Sequence, residues 1–385
     1  MLVNNLAILL FVFVSLFKLK EVRLVKPFQF LFFPLIFLLS ALSLIYSCDF
    51  TAGFKSLEKI VVFAAFFLFV PTISLKTTTV KKLLLAFANL QVVLLLYLLI
   101  TASYLVLKHD SFFIFNPVNL VNENFFFYHR FAMPLEFHAV YLAVYFTFAA
   151  FIFLHNLQEQ LSLKKKIFTW IKILFLLLGV LLLQSFAVLA AGFVILIYAV
   201  WNSKVKINLL QKSLVLLLLL ALPVTVFIKK AKQMSTDVFS YQLEDDIHNK
   251  NWNSLNIRLA KWECAWAVIQ QQPVLGTSTG CGRKHLDEMY RSKNFQIGYE
   301  KSFSTHNQYL HYWVELGIFS FLLFVAFLIS GLYYSAKKNN FLLFVLLMLI
   351  AICSLTENIL TLNKGIVFFA AFYYLILCFN PNEKT

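Results

Sequence analysis

Charge is scarce in this chain: 13% of its 385 residues are Asp, Glu, Lys or Arg, where a water-soluble globule carries about a quarter. With a mean hydropathy of +0.79 and 45 phenylalanines, that shortage excludes a soluble domain. Cysteine is rare too, five in all and none in a CxxC spacing, so no thiolate metal site is offered. Cys48, Cys353 and Cys378 lie in or beside apolar runs and read as packing residues. Cys264 and Cys281 share one polar segment, where a disulfide between them and a pair of free thiols are both open. The chain has no internal repeat and no low-complexity tract beyond its Phe and Leu bias.

What is present is a series of apolar runs, most of them of about 17 to 25 residues and long enough to cross a hydrocarbon core of about 30 Å. In lipid such runs must be helical, because nothing there can pair an open backbone N–H or C=O. The expected fold is therefore all-α, a polytopic integral membrane bundle of about 11 helices. The spans fall near 3–17, 28–46, 57–75, 83–107, 136–155, 167–183, 187–201, 209–228, 312–334, 341–355 and 362–379. The first has no preceding Lys or Arg and no small-residue cleavage site after it, so it reads as an uncleaved helix. One large polar loop separates the eighth and ninth spans. The expected organisation is an N-terminal bundle over 1–228, the loop over 229–311, and C-terminal helices over 312–385.

Lys and Arg orient the bundle. The connections at 18–26, 76–82, 157–166, 202–212 and 335–340 and the C-terminal tail hold sixteen of them, while the alternate short loops hold Lys55, Lys108, Arg130 and Lys364. This bias puts the first set in the cytoplasm, the N-terminus outside and the C-terminus inside. The net charge of +15 is then a topology signal and calls for no nucleic acid. Long loops are exempt from the rule, so the eleven cations and eight acids of residues 229–311 are compatible with an extracytoplasmic position.

That large loop holds most of the polar chemistry. Residues 254–271 can form a helix, with Ser254 as a possible cap and Pro273 as a stop. Arg258, Trp262 and Trp266 share one stripe on it. A guanidinium on an aromatic stripe suits a diphosphate headgroup. From spacing alone the commoner arrangement is an interfacial amphipathic helix whose arginine snorkels. Gly276, Gly280 and Gly282 form a turn that can offer N–H groups to an anion, although most such turns only reverse the chain. His306 lies near the start of the ninth span, where a neutral imidazole can take a proton from a hydroxyl or simply cap the helix. The run Glu244, Asp245, Asp246 with His248 reads as solvated loop rather than a metal site. A smaller interruption at 108–135 is expected on the same side, with aromatic runs suited to the interface, Tyr128, His129 and Arg130, and then Pro134, Glu136, His138 and Tyr141 at the fifth span.

Taken together these residues resemble the O-antigen ligase and polymerase superfamily. The pattern consists of Arg258 and Trp262, then Pro273 and Gly276 with the glycine cluster, then His306, Asn307, Tyr309, Leu310, Glu315, Leu316 and Gly317. Arg130, Pro134, His138, Tyr141, Leu142 and Ala143 resemble the Bacteroidetes-type branch, as do Thr356, Glu357 and Asn358 followed by Gly365, Phe368 and Phe369. The likeness covers roughly residues 125–385. The chain departs from many relatives at Gln184, Ser185, Phe186 and Ala187, which lack an expected Arg, and at Asn363 and Lys364, where an Arg-Gln pair is common.

The resemblance implies an enzyme of the bacterial inner membrane. It would transfer a glycan from an undecaprenyl diphosphate donor to a hydroxyl of a lipid A core or a protein on the periplasmic face. An alternative acceptor is another lipid-linked glycan, as in a polymerase. It implies no cofactor and no metal, membrane lipid as surroundings, and no nucleic acid. His306 is then the expected base. Arg130 and Arg258 would hold the leaving diphosphate with Lys261 and Lys364 in support, His138 and Asn307 would contact substrate, and Glu315 would be structural. A transporter, the reading from another class, would need charged or broken helices at mid-membrane and inverted repeats, and few intramembrane charges are present.

Overall fold

The computed structural model describes residues 28–73, 75–108, 125–157, 162–201, 242–244 and 252–378, with a few positions between 10 and 17. The expected eighth span, most of the first, Asp245, Asp246 and His248 lie outside the described residues. Among the described residues every regular element is helical and there is no strand.

The helices are α1 (Phe32–Ser43), α2 (Phe50–Phe69), α3 (Thr77–Lys108), α4 (Tyr128–Ala132), α5 (Ala139–Leu157), α6 (Leu163–Leu182) and α7 (Phe186–Trp201). They are followed by α8 (Ser254–Gln271), α9 (Gly282–Ser292), α10 (Gln296–Glu300), α11 (Gln308–Lys337), α12 (Phe341–Cys353) and α13 (Asn363–Cys378). Three of them, α3, α5 and α11, are long and apolar enough to cross a membrane, and α7, α12, α13 and the Phe32–Tyr46 stretch are shorter apolar helices. The helix expected at 57–75 begins earlier, at Phe50, because the Asp49 carboxylate caps it by accepting from Ala52 N at 2.9 Å. The break between α6 and α7 falls at the expected place, with Gln184 turning the chain at φ +48.

The chain forms two compact units. One holds α1, α2, α8 to α10, α11 up to Tyr334, and α13, while the other holds α3 to α7 and α12 up to Ile352. In the second unit α5 is buried along almost its whole length. Gly179 of α6 lets the helices close on it, since a β-carbon there would sit 2.8 Å from Leu95 and 2.9 Å from Phe146. In the first unit Phe32 stacks on Phe327 with ring centroids 4.0 Å apart, and Phe33 meets Phe63, Tyr373 and Tyr374.

From residue 252 on, the polar loop folds into a helical layer with its own core. Ala260, Cys264 and Val268 recur at four-residue steps along α8, as do Ala265 and Ile269, and bury against Leu286, Tyr290, Phe295 and Val314. The cap of α8 is Asn253, not Ser254: the Asn253 side-chain oxygen accepts from Leu255 N and Asn256 N at 2.9 and 3.0 Å.

The glycine turn is committed to the fold and not to an anion. Helix α11 breaks at Gly317, at φ +73 and ψ −171, which frees carbonyls one turn earlier. Thr277 N donates to Val314 O at 2.8 Å and Ser278 N to Glu315 O at 2.9 Å, while Ile318 N returns a bond to Pro273 O at 3.0 Å. Thr279 N donates to the Ser43 hydroxyl at 3.0 Å. Gly280, at φ +90, rests on the α2 backbone, where a β-carbon would lie 2.6 Å from Gly53 Cα.

The cysteine pairing departs from expectation. Cys281 is disulfide-bonded to Cys48, with Cα atoms 5.9 Å apart, and Cys264 is a buried free thiol. Cys48 is therefore a covalent staple and not a packing residue. The contact of the glycine turn with the start of α2 brings together two residues that are 233 apart in the chain.

Candidate active site

The chemistry gathers in the first unit, where residues 303–307, the face of α8 and the turn before α13 meet. His306 stands in a left-handed conformation, φ +44, immediately before α11. A non-glycine residue holds that conformation only where its surroundings over-determine it. Here they do. Thr305 is fully buried, and its hydroxyl donates to the Asn358 side-chain oxygen at 3.0 Å. The same oxygen accepts from Asn307 N at 2.7 Å, while Gln308 N donates to Ser354 O and Leu360 N to the Gln308 side chain. Trp262 of α8 donates from its indole to Thr305 O at 3.1 Å. The segment carrying His306 is thus clamped from two sides.

The same turn supplies a partner for the imidazole. His306 Nδ1 lies 3.3 Å from each Glu357 carboxylate oxygen. A carboxylate only accepts, so this contact places the ring proton on Nδ1 and leaves Nε2 with its lone pair. The His306 side chain is 27% exposed and that of Glu357 11%. The imidazole is therefore open to an incoming group while its partner is covered. Glu357 stands in the sequence pattern with no role that spacing assigns. Its signal was an acidic residue in a short turn between apolar helices.

Lys261 is the other charged group here. It is 4% exposed, with its ammonium 4.5 Å from the centre of the Phe303 ring. Burial and the neighbouring Arg258 push its pKa down to about 7, against a smaller upward pull from Glu357. Arg258, one turn earlier on α8, bonds the Ser254 carbonyl and hydroxyl at 3.1 and 2.6 Å and is half-buried. Asn307 has its side-chain oxygen occupied as the cap of α11, accepting from Tyr309 N and Leu310 N at 3.0 and 3.1 Å. Lys364 sits half-buried in the first turn of α13.

Arg130 and His138 belong to the second unit. Arg130 is exposed at the end of α4 with its guanidinium 5.5 Å from the Phe125 ring centre. His138 precedes α5, its ring 4.2 Å from that of His129, and its carbonyl accepts the first amides of that helix. Among the described residues no cluster of three or more His, Cys, Asp or Glu has metal-binding spacing.

Comparison with known proteins bears on this site, for the family described as O-antigen ligase matches residues 139–325. That stretch is similar to the O-antigen ligase family. The matched stretch contains Arg258, Lys261, His306 and Asn307, and stops short of Glu357. A protein of Haemophilus influenzae whose name assigns it no function is 29% identical over 112 residues, 29% of this chain. The chain spans 27% of that relative's length.

Proposed function

We propose that the protein transfers a glycan from undecaprenyl diphosphate to a hydroxyl acceptor, as an O-antigen ligase does, at the periplasmic face of the inner membrane. The observation that carries this reading is the His306–Glu357 pair, a partly exposed imidazole with its Nδ1 against a carboxylate, which leaves the Nε2 lone pair to accept a proton. The acceptor oxygen attacks the anomeric carbon and its proton passes to Nε2 of His306. The bond from that carbon to the diphosphate breaks, and the electron pair leaves on the phosphate oxygen. Glu357 keeps the imidazole oriented and stabilises the imidazolium. Arg258 and Lys261 hold the charge that develops on the leaving group, a task arginine performs by planar paired hydrogen bonds. We assign Lys364 to donor binding as well, and give Asn307 a structural role.

The Cys48–Cys281 disulfide supports an extracytoplasmic position for both the connection between α1 and α2 and the large loop, since such bonds persist in oxidising compartments. The positive-inside bias orients the same loops outward. A lipid A core or a protein supplies the acceptor hydroxyl under this proposal, and a polymerase would use the same donor chemistry with a glycan acceptor. The test is a transfer assay with purified protein, a polyprenyl diphosphate oligosaccharide and candidate acceptors. Formation of the glycosylated acceptor with release of the lipid diphosphate is the expected result, and no transfer to any hydroxyl acceptor would end the proposal.

A further inference from the structure

Lys261 is an unusual occupant of its position. A cation that is almost wholly buried normally meets a carboxylate, because leaving it unpaired costs several kcal/mol by order of magnitude. Among the described residues no carboxylate comes within ion-pair distance of this ammonium, whose close neighbour is the Phe303 ring face. The charged groups that act on it are Arg258 from its own helix and Glu357 from the turn before α13, and Glu357 is engaged with His306. The balance of charge around Lys261 therefore lacks one anion.

The proposed donor brings that anion. Resting on the functional reading above, we infer that the donor diphosphate binds together with a proton, which is taken up from solvent by the Lys261 amine as the headgroup settles beside it. The amine enters the complex as ammonium and donates to a phosphate oxygen, while Arg258 holds another. The aromatic face of Phe303 accommodates both forms, which a carboxylate in its place would not. In the empty site burial and Arg258 bring Lys261 to about 7, so a substantial share of the amine is neutral at and above neutral pH. A dianionic headgroup raises it again, and between the two values binding consumes a proton. The sign follows: affinity for the donor falls as pH rises above about 7.

The probe is a farnesyl diphosphate N-acetylglucosamine, whose diphosphate diester does not titrate near neutrality. Its binding to the full-length protein in nanodiscs is followed by calorimetry at pH 6.5 to 9, in Hepes and in Tris, which differ in ionisation enthalpy. For the wild type the dissociation constant is expected to rise toward tenfold per pH unit above about 7, with buffer-dependent heats that report proton uptake at pH 8. Lys261→Arg, charged at every pH tested, is expected to flatten the profile and abolish the uptake, and Lys261→Met to weaken binding at pH 6.5 and flatten it too. A wild-type profile that is flat from 7 to 9 overturns the inference even if neither variant folds, as does equal uptake by wild type and Lys261→Arg. In both cases the transfer function stands. If the wild type does not bind the probe at any pH, the functional reading falls with it.

Discussion

His306 and Glu357, 51 residues apart in the chain, meet with the imidazole Nδ1 at 3.3 Å from the carboxylate. Two apolar segments separate them in sequence, the whole of α11 and the whole of α12. The pairing selects one tautomer and therefore one job for the ring. Because Glu357 orients the imidazole and stabilises its charged form, Glu357→Gln should lower kcat by up to about 10⁴-fold, the weight of the carboxylate that holds a general-base imidazole. Donor affinity should change far less. Steady-state transfer rates beside direct donor binding make that comparison.

Asn358 serves the same geometry from beneath. Its side-chain oxygen takes bonds from Asn307 N and the Thr305 hydroxyl, both buried. Asn358→Ala strands Asn307 N, at a cost of about 1–3 kcal/mol, and leaves the Thr305 hydroxyl to its other acceptor, Asn307 O. A lowered melting temperature in detergent is expected, together with a fall in kcat as His306 loses the support for its φ of +44.

The disulfide makes a countable prediction. The oxidised, denatured chain should expose three thiols to maleimide, from Cys264, Cys353 and Cys378, and the reduced chain all five. Cys48→Ser and Cys281→Ser should each destabilise the protein by about 2–5 kcal/mol and make its melting temperature insensitive to reductant. Cys264→Ser should keep the reductant response.

Gly280 should not tolerate a side chain. It combines φ +90 with the close approach to Gly53 Cα, so Gly280→Ala carries both backbone strain and overlap with α2. A loss of about 1–3 kcal/mol from strain alone is expected, read as a drop in thermal stability.

Stability should also carry the mark of Lys261. Its pKa is lower in the folded protein than in the unfolded chain, so between about 7 and the usual lysine value the unfolded state binds more protons. This group's contribution therefore makes the protein more stable as pH rises through that window. Melting temperatures across it should climb in the wild type and climb less in Lys261→Met.

Helices were legible in the sequence because hydropathy alone dictates them in lipid. The break at Gln184 and the ends of α8 fell where expected. His306 and Arg258 stood out as polar residues in a chain with few. What escaped was set by long-range packing. Nothing near Cys281 points to Cys48, which lies 233 residues away. Local spacing made the glycine turn look able to hold an anion, whereas its amides go to the kink at Gly317, where the residues Leu316, Gly317 and Ile318 read as unbroken helix. Lys261 shares a stripe with Ala265 and Ile269, a clue to burial that its charge obscured. Glu357 could be quoted as part of a motif, but its role required the fold to bring it to His306.

The most direct test is the single-turnover rate of glycan transfer for His306→Ala and His306→Gln beside the wild type, with donor binding measured on the same preparations. Both variants should bind the polyprenyl diphosphate donor and transfer about 10²–10⁴-fold more slowly, the usual weight of a general base. Transfer at the wild-type rate by either variant would contradict the assignment of His306 as the group that takes the acceptor's proton.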